Sequence, residues 1–494
     1  MMKTYTFHFS TIFVLLLLFS ACGTTDTVQV VDREPRSSTR ADTTDDRTTE
    51  QFKQLTVGVI DPVENFDPLF ADNLSTQRVL SLIYDGLFTL NREGEPIPAI
   101  ARDVEVSDDG LEYTIKINRD LFFHDNRAFL SGVGRRIHAT DIKWAFERTA
   151  RANVPPTAAK LLMNIEGYES YFNEQRYLFE NRKRILDGVS GIIVDNPETI
   201  RFQLVEPDND FTKKLASPYL FIYPREGLRD GFEGIANRPV GTGAYKFQRK
   251  EQNGTITLSR DDSQRFDDRL TNPRVNRIDF VYRDRERDLF QEFARKEIDW
   301  IPEIGLSTSL LVTDSDGELR SSYEGSFNAT RHTGTRSTYL HFNNSADRAN
   351  MKWLKHRVAD ADFSTFHEHA EFDINVEQID ADTTGEADST YFAAYTENLF
   401  VRSILSGVSN QILAPESEIN LVDIRVPTSE VAIYSGSSDS FHDTLLNNTG
   451  FWLKITTPIT ALNHNDVEEI RSHNVPWKIF MEPIRVPAEE RDPS

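Results

Sequence analysis

Cysteine is nearly absent: the chain of 494 residues holds one, Cys22. A lone cysteine excludes an internal disulfide and a C-x-x-C redox pair, so the fold must rest on its apolar core. The signatures of common enzyme classes are missing too. There is no G-x-S-x-G, no H-E-x-x-H and no Walker A loop, and the chain reads as a non-enzyme with no cofactor. After Phe19 no uncharged apolar stretch reaches the roughly 20 residues needed to span a bilayer. Positive charge is scarce as well. Against 78 Asp and Glu stand 55 Lys and Arg, a net charge of −23. That balance argues against nucleic acid as a partner and against anionic lipid headgroups. No fixed internal period is apparent, which excludes a solenoid.

The N-terminus carries a processing signal. Lys3 precedes the apolar run Ile12 to Phe19, then Ser20, Ala21 and Cys22 follow. The run is too short for a bilayer span and reads as a secretory h-region over residues 1–21. Residues 23–52 are rich in Thr, Asp, Arg and Ser and nearly free of large apolar side chains. Such a composition cannot bury enough surface to fold, and as a coil it would reach roughly 30 Å.

Further on, Leu111, Tyr113, Ile115 and Ile117 alternate with polar residues, the period of a half-buried strand. Asp108-Asp109-Gly110 supplies a turn, and Val104 to Val106 a partner strand. Leu55 to Ile60 reads as a first strand, Asn73 to Leu87 has helical spacing, and Thr140 can cap a helix from Asp141 to Arg148. Gly188 to Val194 and Thr199 to Leu204 form a second strand pair around the Asp195-Asn196-Pro197 turn. Phe129 to Ile137 looks like a local insertion.

The order of these pieces resembles the peptide/nickel family of extracytoplasmic solute-binding proteins that feed ABC importers. A Tyr-acid-Gly-Leu segment at Tyr84 is followed by Pro98-Ala99-Ile100-Ala101, by V-S-D-D-G-L-x-Y-T from Val106, and by Phe123-His124-Asp125. Arg238 to Phe247, with its Gly241-Thr242-Gly243-Ala244-Tyr245 core, and Glu297-Ile298-Asp299 continue the resemblance. It covers residues 53–345 well and fades afterwards. Phe19-Ser20-Ala21-Cys22 likewise resembles a bacterial lipobox, which would make Cys22 a lipidated N-terminus.

The resemblance implies a two-lobed α/β fold of the type II periplasmic-binding-protein kind, with an extra β-rich subdomain in the first lobe. It implies a monomer with a peptide ligand, an ABC importer permease as partner and a lipid anchor holding it outside the cytoplasm. The expected division is a signal peptide at 1–21, an anchor and tether at 22–52, a first lobe at 53–262 with a subdomain near 94–190, and a second lobe at 263–494. The family's acidic motif for the ligand's amine, and the long return to the first lobe after it, do not appear. Asp492 is the candidate remnant of that motif.

Carried over by position, Asp72, Asn73 and Tyr245 are candidate cleft residues. Asp72 and Asn73 read equally as helix capping residues, and Tyr245 as a core aromatic. His367-Glu368-His369 could suggest a metal, but no further ligand can be placed near it and a solvated loop accounts for it. Trp452 and Trp477 fit core packing or ligand stacking. His124-Asp125 reads as a structural turn. Two alternatives stay open: a surface or sensor lipoprotein (or truncated relative) that no longer transports, and a receptor for nickel or a metal chelate.

Overall fold

The computed structural model describes residues 54–177, 184–228, 234–261, 275–314, 318–342, 371–374, 431–436, 451–465, 467, 475, 478–479 and 481. Contacts along the chain separate residues 1–50 from residues 51–494, and every described residue lies in the second unit. Cys22, the 22–52 tether, His367-Glu368-His369, Trp477 and Asp492 fall outside the described residues. Among the described residues no helix is long and apolar enough to cross a membrane.

The path begins with β1 (Gln54–Val59), a 3-10 turn at Pro68–Phe70 and α1 (Leu74–Ile83). Two short strands follow, β2 (Phe88–Leu90) and β3 (Pro96–Pro98), then β4 (Ala101–Val106) and β5 (Glu112–Ile117). Helices α2 (Ala139–Arg148), α3 (Thr157–Lys160) and α4 (Tyr168–Tyr177) lead to β6 (Ile192–Asn196) and β7 (Thr199–Gln203). After α5 (Phe211–Lys214) come β8 (Tyr245–Lys250), β9 (Ile256–Arg260) and β10 (Arg277–Tyr282). The remainder comprises α6 (Glu286–Ala294), β11 (Trp300–Ile301), α7 (Leu306–Val312), β12 (Asn328–Phe342), β13 (Glu371–Ile374), β14 (Val431–Gly436) and β15 (Phe451–Asn463).

Strands β4, β5, β7 and β6 form a four-stranded antiparallel sheet in that order. Its inward positions, Tyr113, Ile115, Ile117, Ile200 and Phe202, are buried, as period-two patterning requires. Gly110 closes the β4–β5 turn at φ 71°, a backbone state that suits glycine. Helix α2 begins one residue before Thr140, with His138 at the N-cap: Asp141 sits at the third helical position and accepts from the His138 N–H at 2.9 Å. Helix α1 stops at Ile83 instead of reaching Leu87, and the Asp85 carbonyl accepts from the Ile222 N–H at 2.9 Å.

The larger sheet has nine strands in the order β14-β12-β15-β11-β1-β10-β9-β8, with β13 pairing on β15 off this path. Strand β1 runs parallel to β10 with Leu55 opposite Ile278 and Val57 opposite Phe280. The division expected at residue 262 therefore falls between two antiparallel neighbours of one sheet, β9 and β10. The described C-terminal residues reach the same core. Val467, Val475, Ile479 and Met481 join the core that contains Leu55 and Val57. The Lys478 ammonium donates at 2.8 Å to both Thr89 Oγ1 and the Leu90 carbonyl. Ile459, Ala461, Val467, Val475, Lys478, Ile479 and Met481 thus pack with the N-terminal elements.

The glycines before Tyr245 serve packing. A Cβ on Gly241 would lie 2.0 Å from the Ile83 carbonyl oxygen, and one on Gly243 2.5 Å from that of Leu82. Both positions let the chain cross the end of α1 closely enough for the Gly243 N–H to reach the Ile83 carbonyl at 2.9 Å. His124, fully buried, donates from Nε2 to the Gly243 carbonyl at 2.7 Å. Burial pushes its pKa down.

Arg148 at the end of α2 holds the loop between β1 and α1. Its guanidinium grips both oxygens of the buried Asp67 carboxylate, one at 2.9 Å, and donates to Tyr223 Oη at 2.7 Å. It also lies 5.3 Å from the centre of the Tyr223 ring. Burial alone would lower the Arg148 pKa, but the Asp67 hydrogen bonds and charge outweigh it and hold the pKa above the ordinary value. Asp67 accepts in addition from the Leu69 N–H at 3.2 Å, starting the 3-10 turn.

Two outcomes follow for chemical denaturation. Gly241→Ala should cost about 2–3 kcal/mol because backbone must move to admit the methyl group. A loss below about 1 kcal/mol would contradict the close approach to Ile83. Arg148→Met should cost about 3–5 kcal/mol by leaving a buried carboxylate uncompensated. Adding Asp67→Leu should then lose clearly less than the sum of the two single changes. Additivity would mean the pair is not coupled.

Candidate functional site

The loop pinned by Arg148 delivers two of the expected residues to one place. Asn73 caps α1: its Oδ1 accepts from the Thr76 N–H at 2.7 Å. Its amide nitrogen donates at 3.2 Å to the Pro62 carbonyl and to Asp72 Oδ1. Asn73 therefore spends its side chain on the helix start and on orienting its neighbour.

Asp72 stands differently. Its side chain is open to solvent, yet its carboxyl pKa is pushed up, first by burial among surrounding protein and then by the negative charges of Asp61 and Glu64. We take this solvent-facing carboxylate, with Asp61, Glu64 and Tyr219 acting on it, as the candidate recess. The charge of Asp72 in turn adds to burial in raising the Tyr219 phenol pKa. The Gln77 amide donates to Tyr219 Oη at 3.4 Å and to the Ala71 carbonyl at 2.9 Å, tying α1 to both walls. The candidate recess thus offers a carboxylate and a phenol, and the charges around it are negative.

Beneath it α1 buries Ser75, Thr76, Gln77 and Arg78, polar residues on what would be a solvent face of an ordinary surface helix. Arg78 donates to Glu303 at 2.6 Å, both buried, linking α1 to the segment after β11. His332 of β12 is buried close by, and burial followed by the Arg78 charge lowers its pKa to about 4, so it is neutral at pH 7. The β12–β15 pairing is irregular between Arg331 and Thr335, beside this cluster.

Tyr245 is elsewhere. It is wholly buried and its hydroxyl donates to the Val275 carbonyl at 2.8 Å. It acts as a core aromatic beside β9 and β10, and its ring and hydroxyl do not line an open surface. Trp452 lies on β15, opposite His341 of β12. Sequence reasoning missed Tyr219, Asp67 and Arg148. The 3-10 turn Pro218–Leu220 that carries Tyr219 gives no periodic signal, and Asp67 and Arg148 are 81 residues apart. Among the described residues no three His, Cys, Asp or Glu side chains group as metal ligands would.

Comparison with known proteins agrees with this architecture. Residues 95–360 match the family model described as bacterial extracellular solute-binding proteins, family 5 Middle. Di/tripeptide-binding protein 4 of Pseudomonas aeruginosa is 29% identical over 167 residues, 33% of this chain and 28% of that protein. Glutathione-binding protein GsiB of Pectobacterium atrosepticum is 26% identical over 195 residues, 40% of this chain and 32% of its own length. The matched segments thus span about a third of these relatives. Among solved structures, Haemophilus influenzae OppA in complex with RPPGFSPFR superposes with a TM-score of 0.64 at 13% identity, covering 88% of this chain and 99% of that one. The murein tripeptide binding protein MppA of Escherichia coli gives 0.64's near equal, 0.63 at 12% identity, over 88% and 99% of the two chains. The family match covers more than half of the chain, and the structural likeness runs nearly its whole length. The chain belongs to family 5 of the bacterial extracellular solute-binding proteins and has their two-lobed, type II periplasmic-binding-protein fold.

Proposed function

We propose that this protein captures peptides outside the cytoplasm, holds the ligand's ammonium end at the Asp72 recess, and delivers the ligand to an ABC importer. The observation that carries the reading is a carboxylate kept accessible where protein and two like charges oppose its ionisation. An ammonium group relieves that unfavourable situation by pairing with Asp72. The Tyr219 phenol beside it offers a further polar contact and an aromatic edge. Asn73 serves as the orienting neighbour rather than the primary contact, and Tyr245 as a support from the core. Asp492 stands as a second candidate amine partner. Lipidation of Cys22, with residues 22–52 as tether, would keep the protein next to the importer permease, as a monomer. The lobes themselves would be joined where the β12 and β15 strands run long and irregular.

Thermal unfolding of the full chain against a panel of di- to nonapeptides tests this. A ligand at about a hundred times its dissociation constant adds about 2.7 kcal/mol of stability. N-acetylation of a binding peptide should weaken it by roughly 10–100-fold, the worth of a charge-assisted hydrogen bond. No shift with any peptide, alongside a shift with nickel–histidine complexes, would move the reading to the metal-chelate alternative. No shift with either would favour a non-transporting lipoprotein.

Asp72 gives a pH signature with a definite sign. Its folded-state pKa is raised, so ionised Asp72 opposes folding, and that cost is present at neutral pH and disappears as pH falls through the raised value. Asp72→Asn should therefore hold or raise Tm at pH 7 while weakening free-amine peptides more than acetylated ones. Affinity of the unaltered protein should drop as pH falls through the Asp72 titration. A clear loss of Tm in Asp72→Asn, with peptide affinity unchanged, would make the residue structural.

A further inference from the structure

The segment Phe122 to Arg136 is a hairpin-like loop closed by an antiparallel bridge between its two end residues, and it includes most of the Phe129 to Ile137 stretch that reads as a local insertion. Its arms are joined by the Phe123 N–H to the Arg135 carbonyl at 2.9 Å and the Ile137 N–H to the Leu121 carbonyl at 3.2 Å. Arg135 clamps the base with four hydrogen bonds to Asp141 and Glu226 at 2.7 to 2.8 Å, and donates a fifth to the Arg136 carbonyl at 3.1 Å. The tip is set by the Phe129 N–H to the Asn126 carbonyl, the Gly132 N–H to the Phe129 carbonyl and the Gly134 N–H to Asp125 Oδ1. Phe129 turns inward onto Phe123, with ring centres 6.2 Å apart.

This rigid scaffold points apolar side chains outward. Leu130 is 95% exposed, Val133 60% and Phe122 41%. Between Phe122 and Arg136 the three arginines Arg127, Arg135 and Arg136 stand against one carboxylate, Asp125. Arg135 is neutralised at the base, while Arg127 is exposed and Arg136 lies over the Phe122 ring at 5.6 Å. The tip is therefore basic and apolar on a chain whose net charge is −23.

A stable protein–protein contact covers about 800 Å² on each partner, far more than two aliphatic side chains and a ring edge present. A lipid interface needs no such area. Apolar side chains that enter the headgroup boundary, flanked by arginines that meet anionic lipid, form a working contact in a small space. We propose that the Phe122–Arg136 hairpin is a membrane-contact tip that dips Leu130 and Val133 into the interface of an anionic bilayer. The acidic remainder of the protein is repelled by such a surface, so the basic tip sets which way the body faces. The inference is independent of peptide binding at Asp72 and of lipidation at Cys22.

The test uses the full chain with Cys22→Ser, carrying a single thiol at Leu130→Cys or, as control, at Gln252→Cys on the exposed β8–β9 turn. Each thiol bears the same environment-sensitive dye, and the vesicles are phosphatidylcholine alone or phosphatidylcholine with one-quarter (about 25%) phosphatidylglycerol. The expected result is a blue shift, and quenching by brominated acyl chains, for the dye at 130 on the anionic vesicles and not for the dye at 252. Arg127→Glu with Arg136→Glu should raise the lipid needed for half the shift by about tenfold or more. Arg127→Glu alone, which leaves the Phe122 stack in place, should give a smaller change in the same direction. A dye at 130 that stays in water on every vesicle would leave a protein as the occupant and overturn the lipid assignment. Equal shifts at 130 and 252, or indifference to the arginine changes, would mean adventitious adsorption and overturn it as well.

Discussion

The candidate site depends on the grip of Arg148 on Asp67. The loop between β1 and α1 has little regular structure of its own, yet it must present Asp72 at a fixed place. A two-oxygen guanidinium–carboxylate pair, buried and backed by the Tyr223 hydroxyl, fixes position and orientation together. Such a pair adds little net stability relative to an apolar replacement, but it is costly to break from one side. It therefore restricts the conformations of the loop, which is what a preorganised binding group requires.

A second buried polar layer continues from α1. Arg78, Glu303 and neutral His332 sit between the helix that starts at the recess and the strand irregularity of β12. A helix that buries its polar first turns is committed to specific partners, since each unpaired group would carry a desolvation penalty. The N-terminus of α1, the segment after β11 and the paired long strands thus form one connected polar unit.

Local patterning was legible in the sequence. The alternation in Leu111 to Ile117 and the turns at Gly110 and Pro197 correspond to the β4–β5 and β6–β7 pairs of the four-stranded sheet. The glycines of the 241–243 segment were legible as a tight turn, although what they serve is close passage over Leu82 and Ile83. Contacts between distant parts of the chain were not legible. Nothing in the residues around Lys478 announces a partner 389 positions earlier, and nothing around Asp67 announces Arg148. The same limit affected the site. Asn73 has the ordinary chemistry of a helix cap and acts as one, whereas the recess around Asp72 exists only once Asp61, Glu64 and Tyr219 come together.

The central claim is that this fold carries a solute whose amine meets Asp72. The most direct measurement is native mass spectrometry of the full chain purified from its own membranes without unfolding, beside the Asp72→Asn chain prepared identically. The account predicts extra mass on the unaltered protein, released as small molecules bearing free amines, and depleted in the Asp72→Asn protein. Equal retention of the same solute by both proteins, or retained species without a free amine, would contradict it.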